Sequence, residues 1–148
     1  MPLKPLHDAN GNVVPHDHEE ILDAHGVIRR VSIEQHVVPD EKSPTGRRLS
    51  TMLFQPSSGL NGGLSVDLQN EIECAGLDPK EYVKTPPFFG AVRITAGQFR
   101  SEGFQVGADP TPDNPHHGEV WGSFSKGKKN RLLSLSVWFV PIDGVSIL

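Results

Sequence analysis

Glycine and proline interrupt this chain at close intervals, and together they account for 28 of its 148 residues (15 Gly and 13 Pro). Average usage is roughly 12% for the two combined. Because glycine weakens regular elements and proline cannot continue a helix or a central strand, long helices should be few. We therefore expect short elements joined by long loops.

The length suits one domain, and 36% apolar residues can supply a hydrophobic core. Stretches of alternating apolar and polar residues predict an α+β fold, with a mainly antiparallel sheet, two or three short helices and long Gly/Pro-rich loops. Strands are expected at 27–33, 49–54, 90–95, 104–106, 118–124 and 132–140. The last two would form a hairpin around 126–131; a helix at 128–139 is the alternative, but the two interposed serines fit period two better.

Three helix starts have recognisable capping residues. Asp67 precedes a helical pattern that ends at Gly76, and Asp78 precedes Pro79 as a cap followed by a first-turn proline. Thr95 and Gln98 have the spacing of a capping box. These positions predict the short helices of the domain.

The first 26 residues differ from the rest, with four histidines and few residues suited to packing. We predict that 1–26 is a flexible or partner-dependent arm and that 27–148 is a single globular domain. No run of apolar residues is long enough for a signal peptide or a membrane span. A lone cysteine, Cys74, cannot form an internal disulfide and is expected to be buried in its helix, so we expect a cytoplasmic protein.

The segment 109–119 is the most site-like part of the sequence. It is a proline-rich polar loop with two adjacent imidazoles and several carboxylates beside an apolar strand. Histidine can transfer protons near neutral pH. Side chains of adjacent residues on a strand point to opposite faces, so one histidine at most should enter a given pocket. Candidate catalytic residues are His116, His117, Glu119, Asp113, Arg93 and Arg100.

A second candidate is a zinc site in the arm. His16 and His18 would lie on the same side of an extended segment, and His25 or His116 would supply a third ligand. A solvated arm is the simpler interpretation. The Gly-rich stretch 57–67 leads toward the predicted helix at Asp67, but it matches no phosphate-loop pattern, and the Asp67 carboxylate would oppose an anion.

The third candidate is basic. Four cations lie at the predicted hairpin tip 126–131, and an aromatic residue follows in the next strand; the candidate partner-binding residues are Lys126, Lys128, Lys129, Arg131 and Trp138. A net charge of −4 and a pI near 5.9 disfavour nucleic acid as the partner.

No strong catalytic motif is present, so the sequence favours a small binding or accessory domain that acts on a protein partner or as a homo-oligomer. One alternative is a His-dependent hydrolase or transferase centred on 109–119, which zinc would assist. The other is a nucleic-acid binder that uses the basic tip. These hypotheses make different demands on the structure: the enzyme requires that a histidine and a carboxylate of 109–119 converge in one pocket with Arg93 or Arg100.

Overall fold

The computed structural model describes residues 3–58 and 61–148 and confirms the α+β prediction. The strands are β1 (Gly26–Ser32), β2 (Val37–Pro39), β3 (Arg47–Leu49), β4 (Leu64–Leu68), β5 (Phe88–Thr95), β6 (Gln105–Ala108), β7 (His117–Trp121) and β8 (Val137–Val140). The helices are α1 (Ile33–His36), α2 (Gln69–Cys74), α3 (Pro79–Tyr82), α4 (Ala96–Ser101) and α5 (Lys126–Leu135), with a 3-10 helix at Thr51–Phe54. The five helices exceed the two or three expected, but the longest has only ten residues.

Six strands form one antiparallel sheet in the order β6-β7-β4-β1-β5-β8, and β2 pairs with β3 in a separate two-stranded sheet. The predicted strands at 27–33 and 90–95 correspond to β1 and β5, which pair along their length at the centre of the larger sheet. β6 and β8 are its edges.

The two faces of the sheet differ in chemistry because side chains alternate along each strand. On β4, Leu64, Val66 and Leu68 enter the main hydrophobic core. Ser65 and Asp67 point to the opposite face, where they lie directly across from Glu119 and His117 of β7. Polar groups from distant parts of the chain are thus collected on one face.

Local capping chemistry starts two of the short helices, α3 and α4, as predicted. The Asp78 side chain accepts from the Lys80 amide, and Thr95 and Gln98 form both bonds of a capping box. At the end of α2, Gly76 has the predicted left-handed conformation (φ 78°). The start of α2 was predicted wrongly: Asp67 lies in β4, where Arg30 binds its carboxylate, so it cannot cap the helix. Cys74 is exposed and not buried.

The predicted strand at 49–54 and the predicted hairpin tip at 126–131 are wrong. In the first, Ser50 caps a 3-10 helix that buries Leu53 and Phe54. In the second, residues 126–135 form α5, and only Val137–Val140 is a strand.

The hydroxyls of Ser134 and Ser136 donate to the carbonyls three and four residues before them, at Arg131 and Leu132. These serines therefore satisfy their polar groups within the helix, and their alternation with leucines does not mark a strand. The Gly-rich stretch leads into β4 and not into a helix; Gly59 and Leu60, within it, lie outside the described residues.

The segment predicted to be an arm lies against the sheet in this structure. Ile21 belongs to the main core, and His16 is 8% exposed. The division at residue 27 stays a prediction, and release of the arm would break these contacts. None of the helices within residues 3–58 and 61–148 is long and apolar enough to cross a membrane.

Candidate functional site

Three strands bring the polar groups of the site together. Asp109 follows β6 directly, and its amide donates to the His117 carbonyl (3.0 Å) at the start of β7. Glu119 is two residues beyond His117 and therefore shares its face of the sheet. Ser65 on β4 lies opposite Glu119. The antiparallel register of β4, β6 and β7 thus places four side chains at one point.

His117 is at the centre of this group. Its Nδ1 lies 2.8 Å from the Asp109 carbonyl oxygen and 3.3 Å from Asp109 Oδ2, while its Nε2 lies 3.1 Å from Ser65 Oγ. One potential ligand atom from each of Asp109, His117 and Glu119 lies within 4.8 Å of the others. A nitrogen and two carboxylate oxygens at this separation are a chemically suitable set for a divalent cation.

Glu119 is half-buried and lies close to Gly63. Burial raises the pKa of Glu119 above the usual glutamate range, and the negative charge of Asp109 raises it further. The His117 ring and the Gly63 amide, which donates to the carboxylate, act in the opposite direction. A Cβ at position 63 would lie 2.5 Å from Glu119 Oε2, so only glycine permits this approach.

An open cleft of about 560 Å³ adjoins these carboxylates. Its lining comes from residues 7–13, from the two sides of the Gly-rich stretch, from the residues that follow β6 and from β7: His7, Gly11, Asn12, Val13, Ser57, Ser58, Asn61, Gly62, Asp109, Pro110, Glu119 and Trp121. No Lys or Arg contributes to the part of this lining that the structure describes. The cleft therefore offers two carboxylates among neutral polar groups.

The other predicted members of the 109–119 loop lie elsewhere. His116 is buried edge-on against Tyr82 (ring centroids 5.4 Å apart), and its Nδ1 has no hydrogen-bond partner among the described residues. Asp113 is exposed. Asn114 joins the loop to the sheet by donating to Asp67 (2.8 Å) and accepting from the Tyr82 hydroxyl (2.5 Å). As expected for neighbours at a strand end, only one of the two histidines enters the site.

Arg93 and Arg100 are not part of the cleft. Arg93 is on β5, and its guanidinium donates to the Gln69 side chain (2.7 Å) at the start of α2. Arg100 is bound between Asp17 (2.9 Å) and Asp23 (2.7 Å). Burial lowers the pKa of Arg100, whereas the hydrogen bonds and negative charges of Asp23 and Asp17 raise it. The net effect is a pKa above the usual arginine value. Both arginines therefore have structural partners, and Arg100 fastens the N-terminal segment to α4.

The structure does not gather the three histidines predicted as zinc ligands. His16 bonds to Val14 and Ala108, His18 to Lys4 and Glu20, and the His25 ring accepts from the Leu22 amide; the distances are 2.8–3.2 Å. Within residues 3–58 and 61–148, Asp109, His117 and Glu119 are the one group of three whose ligand atoms converge.

The cations predicted to bind a partner lie on α5, and most of them have intramolecular contacts. Lys128 donates to the Glu102 carbonyl and lies over the Phe104 ring, and Arg131 pairs with the Glu102 carboxylate. Lys129 donates to Gln55 (2.6 Å). Lys126 is exposed, and Trp138 is half-buried against the main core.

Sequence reasoning placed His117 and Glu119 in the site but missed Asp109 and Ser65 as their neighbours. The His-x-Glu spacing on a strand was a usable sign, since it puts both side chains on one face. The positions of Ser65 and Asp109 depend on strand pairing across many residues. Comparisons of this chain with models of protein families, with curated proteins and with solved structures gave no match.

Proposed function

We propose that the chain is a zinc-dependent hydrolase in which Asp109, His117 and Glu119 hold the metal ion at the cleft. The observation that carries this proposal is the convergence of the three ligand atoms within 4.8 Å beside an open cleft. It supports the His-dependent hydrolase over the binding functions in one respect, because only that hypothesis required a histidine and a carboxylate in one pocket. The arginines that the hypothesis also included lie elsewhere.

The chemistry of the three residues supports a cation. Asp109 and Glu119 repel one another, and a divalent ion would relieve this repulsion. Three protein ligands leave a coordination position for water, whose pKa zinc lowers to about 7. Asp109, His117 and Glu119 would hold the ion, and the ion would supply an activated water for hydrolysis of a substrate at the cleft.

His117 Nδ1 donates to the Asp109 carbonyl in this structure, so binding of a metal ion through Nδ1 would require a change of tautomer. If Nδ1 binds the ion, it loses its proton and its bond to the Asp109 carbonyl, and the proton resides on Nε2. Nε2 then donates to Ser65 Oγ, which lies 3.1 Å away. Metal-binding histidines commonly donate their second ring nitrogen in this way, which fixes the ring orientation.

The lining of the cleft limits the substrate class. Its described residues include asparagines and serines but no cation that would bind a phosphate or carboxylate group. Beyond the ion itself, no Lys or Arg would bind a charged part of the substrate, so we propose neutral esters or amides as the substrate class.

A metal titration tests the proposal directly. Protein stripped with a chelator is titrated with Zn²⁺ by calorimetry, and the same samples are assayed with a neutral chromogenic ester and a chromogenic phosphate ester. We expect one Zn²⁺ per chain, zinc-dependent hydrolysis of the neutral ester, and loss of affinity by about tenfold or more in His117→Ala and Glu119→Gln.

His25→Ala is the matched control, because it removes an imidazole outside the cluster and should leave the affinity unchanged. Wild-type protein that binds no zinc, or a His117→Ala variant that binds it as tightly as the wild type, would contradict the proposal.

The binding functions inferred from the sequence remain proposals with less support. Lys128, Lys129 and Arg131 are already engaged within the chain, which reduces the charge that they can offer to nucleic acid or to an acidic protein. A nucleic-acid complex would weaken steeply with added salt. We retain a cytoplasmic location and a protein partner or homo-oligomer only as proposals, the former supported by the lone cysteine.

A further inference from the structure

The outer edge of β6 is covered by side chains and not by another strand. The amides of Val106 and Ala108 point away from β7, and they donate to Asp17 Oδ1 (3.0 Å) and His16 Nε2 (3.2 Å) respectively. The Val106 carbonyl accepts from the His18 amide (2.9 Å). Residues 16–18 therefore satisfy an edge that would otherwise be open.

These contacts define the protonation state of His16. Its Nδ1 lies 2.8 Å from the Val14 carbonyl, to which it must donate, because a carbonyl oxygen only accepts. Its Nε2 faces the Ala108 amide, which only donates, so Nε2 must carry no proton. In a doubly protonated ring, the Nε2–H group would face the Ala108 N–H group, and the hydrogen bond to β6 would be lost.

The ring is also enclosed by its packing. It lies against the Trp121 indole, with ring centroids 5.2 Å apart. A Cβ at Gly107 would lie 2.7 Å from His16 Nε2 and 2.6 Å from the Trp121 ring, so the absence of a side chain at 107 lets the imidazole reach the strand.

The same segment forms one wall of the cleft. His7 and Val13 pair across a tight turn, and His7, Gly11, Asn12 and Val13 line the cleft with Trp121. Residues 7–13 lead along the chain into His16, so movement of His16 away from β6 would displace this wall.

We propose that His16 is a pH-sensitive latch, whose protonation detaches the segment that ends at His18 from β6 and opens the cleft beside Asp109 and Glu119. The detachment itself follows from the hydrogen bonds of His16; only its consequence for substrate access rests on the proposed hydrolase function.

The groups around the ring set the conditions for the latch. β6 and β7 present Gly107 and Trp121 to it, neither of which titrates, and Glu119 is the next side chain along that face of β7. His18 is the nearest other imidazole, at 6.0 Å between centroids, and Asp17 is bound to Arg100. Lys4, Glu19 and Glu20 share the neighbouring surface depression with His16. None of the ring contacts named here is a Lys or Arg. Protonation of the His16 ring itself is therefore the trigger.

Amide exchange in the full chain measures the latch. Hydrogen-exchange protection factors, corrected for the intrinsic pH dependence of exchange, are recorded by NMR for Val106, Ala108 and Val92 between pH 8 and pH 5. We expect the protection of Ala108 to fall about tenfold or more as the pH decreases, while Val92 in the centre of the sheet changes little. Equal protection of Ala108 at both pH values overturns the proposal.

Two variants assign the effect to one ring. Gln at position 16 can still accept from the Ala108 amide but does not titrate, so His16→Gln should abolish the pH dependence at Ala108. His18→Gln is the matched control and should retain it. If His18→Gln abolishes the dependence and His16→Gln does not, His16 is not the latch.

The readout is separate from metal binding. Loss of protection at Ala108 in a protein that binds no zinc would leave the latch intact and refute only the hydrolase. Zinc binding together with the same protection of the Ala108 amide at all pH values would support the hydrolase and refute the latch.

Discussion

Ser65 Oγ lies 3.1 Å from His117 Nε2, although the two residues are 52 positions apart in the chain. This contact gives the imidazole a fixed partner on the side opposite Asp109. We predict that Ser65→Ala lowers Zn²⁺ affinity about tenfold, because the ring loses the group that orients it.

Calorimetric titration of the two proteins checks this prediction. Ser58→Ala, which removes a cleft hydroxyl that has no contact with His117, is the matched control and should bind zinc as the wild type does. Equal affinities for Ser65→Ala and wild type would show that Ser65 does not support the metal ligand.

Gly63 should be sensitive to the smallest substitution. In Gly63→Ala the new Cβ would approach Glu119 Oε2 to 2.5 Å and the Trp121 ring to 2.9 Å, so the carboxylate must move. We expect a loss of zinc affinity of about tenfold or more.

Gly127→Ala is the control, since its Cβ has no heavy atom nearer than Arg131 at 4.0 Å and the position is helical. This change should leave zinc binding unchanged and stabilise the protein by about 0.5 to 1 kcal/mol in urea unfolding. A Gly63→Ala protein with unaltered affinity would show that Glu119 is not a ligand.

The partly buried ion pair between Arg30 and Asp67 should contribute strongly to stability. The two side chains form two hydrogen bonds of 2.8 and 2.9 Å, and the Asp67 side chain is only 4% exposed. Asp67→Asn would leave the guanidinium without its counter-charge, at a cost of about 3 kcal/mol in the free energy of unfolding.

Denaturant titration compares this variant with Glu81→Gln, which breaks an exposed pair with Lys84. That control should change stability by less than about 0.5 kcal/mol. Similar losses in the two variants would mean that the Asp67 pair is no more important than a surface contact.

His36 should make stability depend on pH. Burial, followed by the positive charge of Arg29, lowers the pKa of His36 from 6.5 to about 4. In the unfolded chain the His36 imidazole binds a proton below pH 6.5, whereas in the folded protein it does so only below about pH 4. The free energy of unfolding therefore falls as the pH decreases through this range. The loss reaches about 3 kcal/mol at its lower end.

His36→Asn keeps an acceptor for the Ser32 amide, which donates to Nδ1 at 2.9 Å in the wild type, but it does not titrate. The difference in unfolding free energy between the two proteins, measured from pH 7.5 to pH 4, isolates the contribution of His36. Parallel pH profiles would contradict the prediction.

Local chemistry made parts of the fold predictable from the sequence. The caps at Asp78 and Thr95 act within three residues, and β1 and β5 have the composition of buried strands. α5 was not predictable in this way, because Leu-Ser-Leu-Ser alternates as a strand does, and only the back-bonds of Ser134 and Ser136 reconcile the serines with a helix.

The candidate site was predictable only in part for a related reason. His117 and Glu119 are close in sequence, and the strand geometry puts them on one face. Ser65 joins them only because β4 pairs with β7 in the register that sets Ser65 against Glu119. The alternation of Leu64, Val66 and Leu68 fixes the face on which Ser65 lies. A shift by two residues would keep that face but set Ser65 against another residue of β7, so the local pattern does not specify its partner.

The hydrogen bonds from β6 to His16 and Asp17 also affect whether two copies of this protein can pair through their sheet edges. A strand edge with free amides at Val106 and Ala108 is a template on which a neighbouring molecule can add its own strand. Side-chain acceptors occupy those amides without offering a further backbone edge, so the sheet ends there. The N-terminal segment thus removes this edge as a site for strand addition, besides forming a wall of the cleft.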